Sequence, residues 1–281
     1  VEQRVARPGI RLCAPILAAG LVAAPAPPSA AAEAARSFSA DYVVTWLGLP
    51  VYETRFAAAI EAGRYRGVMS ARSRGLVELV ARARIRFETL GRVVAHAFQP
   101  EASHQRYLLK HGKIRRIDLR YGPDGTVATK IRPPESPGKR PPVPPALRRH
   151  TQDPISALLN GITIPLAAKP CHYAAAVFEG RRRVDTRLSY ARATPTPSLP
   201  VAKLPRRAIV CLLHAKRLAG FRPRHFRLMP RLPPAQLWVV RYPAAGIWLP
   251  VQLRLDTRWG PIYARLVRFG TGAKAKNAAI R

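Results

Sequence analysis

The chain predicts a mainly β fold, one domain of short strands in an antiparallel meander with one short mid-chain helix. Apolar and polar residues alternate at period two over many short segments. Gly- and Pro-containing breaks separate those segments at hairpin spacing. Only one stretch carries both a helix start and a helix stop signal.

In order, Phe38 to Leu47 reads as the first strand, with Tyr42, Val44 and Trp46 on one face. Gly48-Leu49-Pro50 breaks it, and Val51 to Ile60 follows. After the turn Glu61-Ala62-Gly63 comes Arg64 to Ser73. Gly75 to Val80 reads as a helical turn or bulge. Arg82 to Thr89 alternates regularly, with Arg82, Arg84, Arg86 and Glu88 on one side and Ala83, Ile85, Phe87 and Thr89 on the other. That is the pattern of a half-buried strand with a charged outer face. Strands are expected next over Arg92 to Phe98, Ala102 to Lys110, Lys113 to Tyr121 and Thr126 to Ile131.

Arg132 to Ala146 is Pro-rich and reads as an extended loop. The helix follows it. Asp153 suits the N-cap, Pro154 the first helical position and Gly161 the exit. Strands then resume over Cys171 to Phe178, Arg183 to Tyr190, Arg207 to Lys216, Gln236 to Tyr242, Ile247 to Thr257 and Pro261 to Arg268. Ala191 to Pro205 and Phe221 to Pro234 read as loops. Residues 38–268 form one expected domain, and 270–281 an expected disordered tail.

Residues 1–32 have the order of a secretory signal peptide. Arg4, Arg7 and Arg11 precede an apolar run from Leu12 to Ala24, and Ser29-Ala30-Ala31-Ala32 supplies small residues. Cleavage is expected after Ala32, with Ala35 as a second choice. A cytosolic protein with an Ala/Pro tail is the alternative. The apolar run is too short to span a bilayer, and no later segment is long enough, so no mature transmembrane span is expected. Cleavage would remove Cys13 and leave Cys171 and Cys211. In an oxidising compartment these can form a disulfide; the alternative is two buried thiols.

Lys and Arg number 48 against 15 acids, a formal charge of +33. Either a compositional bias toward Arg or an anionic partner accounts for this excess. The signal peptide directs the charge toward the envelope and away from nucleic acid.

The chain resembles a bacterial family known as domain of unknown function 3108. The resemblance rests on Phe38 to Trp46, Val51 to Phe56, and Tyr65 with Ser73-Arg74-Gly75-Leu76. It rests also on Asp153 to Leu158, Phe178 to Asp185, Trp248-Leu249-Pro250-Val251 and Thr257 to Gly260, and it spans about residues 38–268. It implies export to the periplasm and a single large curved antiparallel sheet or open half-barrel, similar to lipoprotein carriers that hold acyl chains in a concave face. It implies no catalytic residues.

Candidate sites are few. Asp153 reads as a helix cap rather than a general base. Asp185, beside Arg181 to Arg183, reads as an ion-pair partner or a ligand contact. Arg82, Arg84 and Arg86, with Arg72 and Arg74, form either a basic ligand-binding stripe or a solvated face that resists edge pairing. No His pair has metal-ligand spacing, and no phosphate loop or nucleophile elbow is present. The expectation is a non-enzymatic periplasmic protein with no cofactor or metal. It would bind or carry an amphipathic envelope ligand such as a lipid, or else bind an anionic envelope partner through its basic surface. The sequence does not set its oligomeric state.

Overall fold

A computed structural model describes residues 36–136, 138, 140–163, 170–222 and 233–280. The segment 1–32 expected to be a signal peptide, with Cys13 and the expected cleavage after Ala32, lies outside the described residues. So does most of the loop expected from Phe221 to Pro234.

The first seven strands are β1 (Arg36–Trp46), β2 (Leu49–Glu61), β3 (Arg64–Ser73), β4 (Arg84–Val94), β5 (Ala97–Leu108), β6 (Ile114–Tyr121) and β7 (Val127–Arg132). A short helix, α1 (Leu76–Ala81), lies between β3 and β4. After helix α2 (Pro154–Ile162) come β8 (Tyr173–Phe178), β9 (Arg183–Pro195), β10 (Arg207–Ala219), β11 (Ala235–Tyr242), β12 (Ile247–Thr257) and β13 (Gly260–Thr271). All belong to one 13-stranded sheet in the order β7-β6-β5-β4-β3-β2-β1-β13-β12-β11-β10-β9-β8. Two meanders therefore meet where β1 pairs with β13, and β7 and β8 are left as edges. The mainly β expectation holds: the pairings are antiparallel throughout, and the sheet is not closed by hydrogen bonds.

Three local expectations need correction. Arg92 to Phe98 is not one strand but the end of β4, a two-residue turn and the start of β5. Ala95 and His96 both have positive φ, 47° and 65°. That pair of conformations is what a tight hairpin turn matching strand twist requires. Neither residue is Gly, so composition gives no warning. The loop expected from Ala191 begins only after Pro195, because β9 continues in register against β10. The tail expected to be disordered forms the end of β13 and a helix, α3 (Ala273–Ile280). Its Ala/Lys composition favours helix. Ala275 and Ala279 are buried as α3 packs on β1 and β2.

The core gathers around α2. Ile155, Leu159 and Ile162 are buried with Phe38, Phe56 and Tyr65 from one half of the sheet and Val240 and Leu249 from the other. Each such side chain contributes about 1.5–3 kcal/mol by leaving water. Gly67 on β3 lets the helix come close: a Cβ there would stand 2.4 Å from Ile155 Cγ2. The two edges also meet through side chains. Phe178 at the end of β8 packs with Ile117 and Leu119 of β6. Gly180, at φ 92°, brings the β8–β9 turn against Ile117. The β7–α2 connector lies alongside, with Gln152 bridging to Val177 in parallel.

Candidate functional site

Period-two alternation sends Phe56, Tyr65 and Phe87 toward the core and their neighbours to the opposite face. Register then decides which exposed residues become neighbours. Across β4, β5, β6 and β7, Arg86 stands opposite Arg106, Arg106 opposite Arg116, and Arg116 opposite Arg132. Four consecutive strands thus place arginines side by side at the strand spacing of about 4.7–4.9 Å. The row continues through Ser70, Arg55 and Asp41 to Arg268 on β13. Beside it lies a second row of Arg84, Arg72 and Glu53.

The two ends of this face differ electrostatically. Asp41 accepts from Arg55 Nε at 2.7 Å and from Arg268 Nε at 2.7 Å. Burial acts to raise the Asp41 pKa, but those hydrogen bonds and charges outweigh it and hold the carboxyl below its ordinary value. At the other end the arginines are poorly neutralised. Arg86 reaches Glu88 only at 3.8 Å and Arg132 reaches Asp118 only at 3.8 Å. Among the described residues, no carboxylate pairs with Arg106, Arg116 or Arg84, which are exposed. A groove of about 1100 Å³ runs over the face, lined by Arg55, Arg72, Arg84, Arg86, Arg106 and Arg268 among others.

The expected stripe is therefore only partly assembled. Arg72, Arg84 and Arg86 lie together in the groove. Arg74 lies beyond β3 and pairs with Glu53. Arg82 precedes β4 and pairs with Glu78 at 3.5 Å. Asp185 is on β9, between Ala176 and Lys216, in the other half of the sheet, and pairs with Arg183. Five members of the groove face or its row, Arg55, Arg106, Arg116, Arg132 and Arg268, were not singled out from sequence. A two-residue His111-Gly112 turn would set Arg106 opposite Ile117; the observed connection also takes in Lys110, pairs Leu108 with Ile114 and so sets Arg106 opposite Arg116.

Asp153 is a buried cap. Its Oδ1 accepts from Ile155 N at 2.8 Å and from Thr89 Oγ1 at 2.7 Å. Its Oδ2 pairs with the Ser156 hydroxyl, which lies 2.6 Å from the Tyr65 hydroxyl. Burial raises the Asp153 pKa, although each of these hydrogen bonds opposes the shift. The network ties α2 to β3 and β4 and presents no group to a groove. At the helix's other end, Asn160 Oδ1 accepts from Phe98 N at 2.8 Å while its Nδ2 donates to Phe98 O at 3.0 Å.

A disulfide joins Cys171 and Cys211 with Cα atoms 5.4 Å apart, linking the approach to β8 with β10 across the intervening β9. Beside it lies an apolar pocket of about 240 Å³ lined by Leu158, Ile162, Leu188, Leu213 and Trp248 among others. At the seam between the edges, Glu135 accepts from Arg115 Nη1 at 3.1 Å and Arg181 Nη1 at 3.2 Å. Glu179 lies 3.4 Å from Arg182 Nε. Burial raises the Glu179 pKa despite the surrounding guanidiniums.

Among the described residues no group of His, Cys, Asp and Glu side chains is placed to hold a metal. No helix there is long and apolar enough to cross a membrane. No family model and no curated protein matches the chain, so the resemblance to domain of unknown function 3108 has no family match behind it. Among solved structures, the chain is similar to a beta-barrel-like protein of domain of unknown function 1849 from Brucella abortus. The two are 11% identical with a TM-score of 0.47, over 85% of this chain and 98% of that one.

Proposed function

We propose that the protein is an exported envelope protein that binds an anionic partner through the arginine face of β4–β7. The observation behind this reading is the row Arg86, Arg106, Arg116 and Arg132. Like charges directly opposite on neighbouring strands oppose folding. At about 5 Å in water each such contact costs roughly 0.8 kcal/mol before salt screening. An anion laid along the row would convert that repulsion into attraction, and guanidinium forks suit carboxylate or phosphate oxygens. Compositional bias supplies arginines but does not align them. The Cys171–Cys211 disulfide fits the expected export, since such bonds persist in oxidising compartments.

Titration of the protein with an immobilised polyanion at rising sodium chloride tests this. Affinity should fall steeply with salt, and Arg86→Gln/Arg106→Gln/Arg116→Gln should weaken it by at least about tenfold, or 1.4 kcal/mol. Salt-insensitive binding, or none, would remove the proposal.

The carrier reading has one feature in its favour, the apolar pocket beside the disulfide. At about 240 Å³ it is smaller than the usual range for pockets that enclose a whole organic ligand. The interior between the sheet halves is otherwise filled by α2. Mass spectrometry of lipid extracts from the purified protein separates the readings. A stoichiometric co-purifying amphiphile would favour carriage.

A further inference from the structure

Resting on the reading of the arginine row as an anion-binding face, we propose that the partner is a linear acidic polysaccharide carrying a carboxylate on each sugar ring. The chain would lie along the row, across the strands. Three features of the face support this.

The first is its shape. The poorly neutralised arginines form a line with acids close along one side. Glu88 and Asp118 lie in the next row there, on β4 and β6, each beside His104 of β5. Successive same-face rows are only about 6.6–6.8 Å apart along a strand. A flat anionic surface resting on the arginines would also meet those carboxylates. A single chain would not.

The second is spacing. Arg86, Arg106, Arg116 and Arg132 recur once per strand, about every 4.7–4.9 Å. A polymer with one charge per sugar ring advances along its axis by about one strand spacing per charge, and its linkage torsions can turn each charge toward the row. An extended acidic peptide advances about 3.3–3.4 Å per residue, or about 6.6–6.8 Å between same-side carboxylates, and neither interval matches.

The third is the lining. Beside Arg106 and Arg116 the neighbouring row presents Leu108 and Ile114, a cross-strand pair, with Ile114 40% exposed. Sugar rings carry C–H faces that can cover such a pair while their carboxylates meet the guanidiniums. Polyphosphate has no such face.

The experiment compares the full chain's binding to polygalacturonate, with a carboxylate on every ring, hyaluronan, with one on every second ring, polyglutamate, and vesicles of phosphatidylglycerol in phosphatidylcholine. All are compared at equal charge concentration and one ionic strength. Polygalacturonate should bind tightest, by about tenfold over hyaluronan. Arg106→Gln/Arg116→Gln should abolish that preference, with unchanged circular dichroism showing that the fold persists. Leu108→Ser/Ile114→Ser should weaken polygalacturonate more than polyglutamate. Equal affinity for all the polymers, or tighter binding to polyglutamate or vesicles, overturns the inference while leaving an anion-binding face. Binding to none of the probes overturns both.

Discussion

Asp153→Ala should destabilise the protein by about 2–4 kcal/mol. Loss of the helix N-cap alone costs about 0.5–2 kcal/mol. The Thr89 and Ser156 hydroxyls, both fully buried, would also lose their carboxylate acceptor. Each keeps a second hydroxyl partner, Ser103 for Thr89 and Tyr65 for Ser156, so only part of the about 1–3 kcal/mol cost of an unpartnered buried polar group applies. Against this stands relief of the burial penalty on the carboxylate itself, which keeps the total below the simple sum. Asp153→Asn keeps an acceptor at Oδ1 and places a donor toward Ser156, so it should recover most of the loss. The assay is urea unfolding, with a lower midpoint and unchanged m-value in the Ala variant. The pH dependence has a definite sign. A carboxyl whose folded pKa is raised contributes most below its unfolded value of about 3.9, and the contribution is lost as pH rises through the folded value. The stability difference between Asp153→Asn and wild type should therefore grow in the variant's favour as pH rises through that window. An Ala variant within about 0.5 kcal/mol of wild type would refute the assignment of Asp153 as the post that docks α2.

Other expectations follow from single contacts. Replacing both Cys171 and Cys211 by Ser releases a loop spanning 40 positions and should cost about 3–4 kcal/mol in urea unfolding. Gly67→Ala should cost about 1–3 kcal/mol, because its Cβ would stand 2.4 Å from Ile155 Cγ2, and Ile155→Ala in the same chain should show coupling in a double-mutant cycle. Asp41 has a depressed pKa, so its contribution is present above the unfolded value and lost as pH falls through the folded one. Asp41→Asn should thus flatten the decline in stability below about pH 4, read from unfolding midpoints across that range.

The strands were legible because alternation and Gly-containing turns are local. Arg64 to Ser73 and Ile247 to Thr257 stand as expected to the residue. The cap of α2 was legible for the same reason: Asp153 and Pro154 specify a helix start without tertiary help. The Ala95-His96 turn was not, because its positive φ angles fall on residues that rarely adopt them. Pairing of β1 with β13 joins residues more than 200 positions apart, and no local pattern encodes it. The basic face shows the same divide. Alternation marked Arg84 and Arg86 as outward-facing, but membership of a row is a matter of register across strands. Arg74 and Arg82 lie just outside the strand ends and drop out, while Arg106, Arg116 and Arg132 enter. The filling of the interior by α2 was likewise invisible, since an apolar stripe does not name the surface it covers.

The proposed anion binding belongs to one face and not to net charge. Two variants of equal net charge test it most directly. One carries Arg86→Gln, Arg106→Gln and Arg116→Gln. The other carries Arg187→Gln, Arg206→Gln and Arg207→Gln, at exposed positions in or beside β9 and β10. Polyanion affinity should fall by at least about tenfold in the first and stay within about twofold of wild type in the second, at one fixed salt concentration. Equal losses in the two would show that the +33 charge acts as a diffuse field and that the arginine row is not a site.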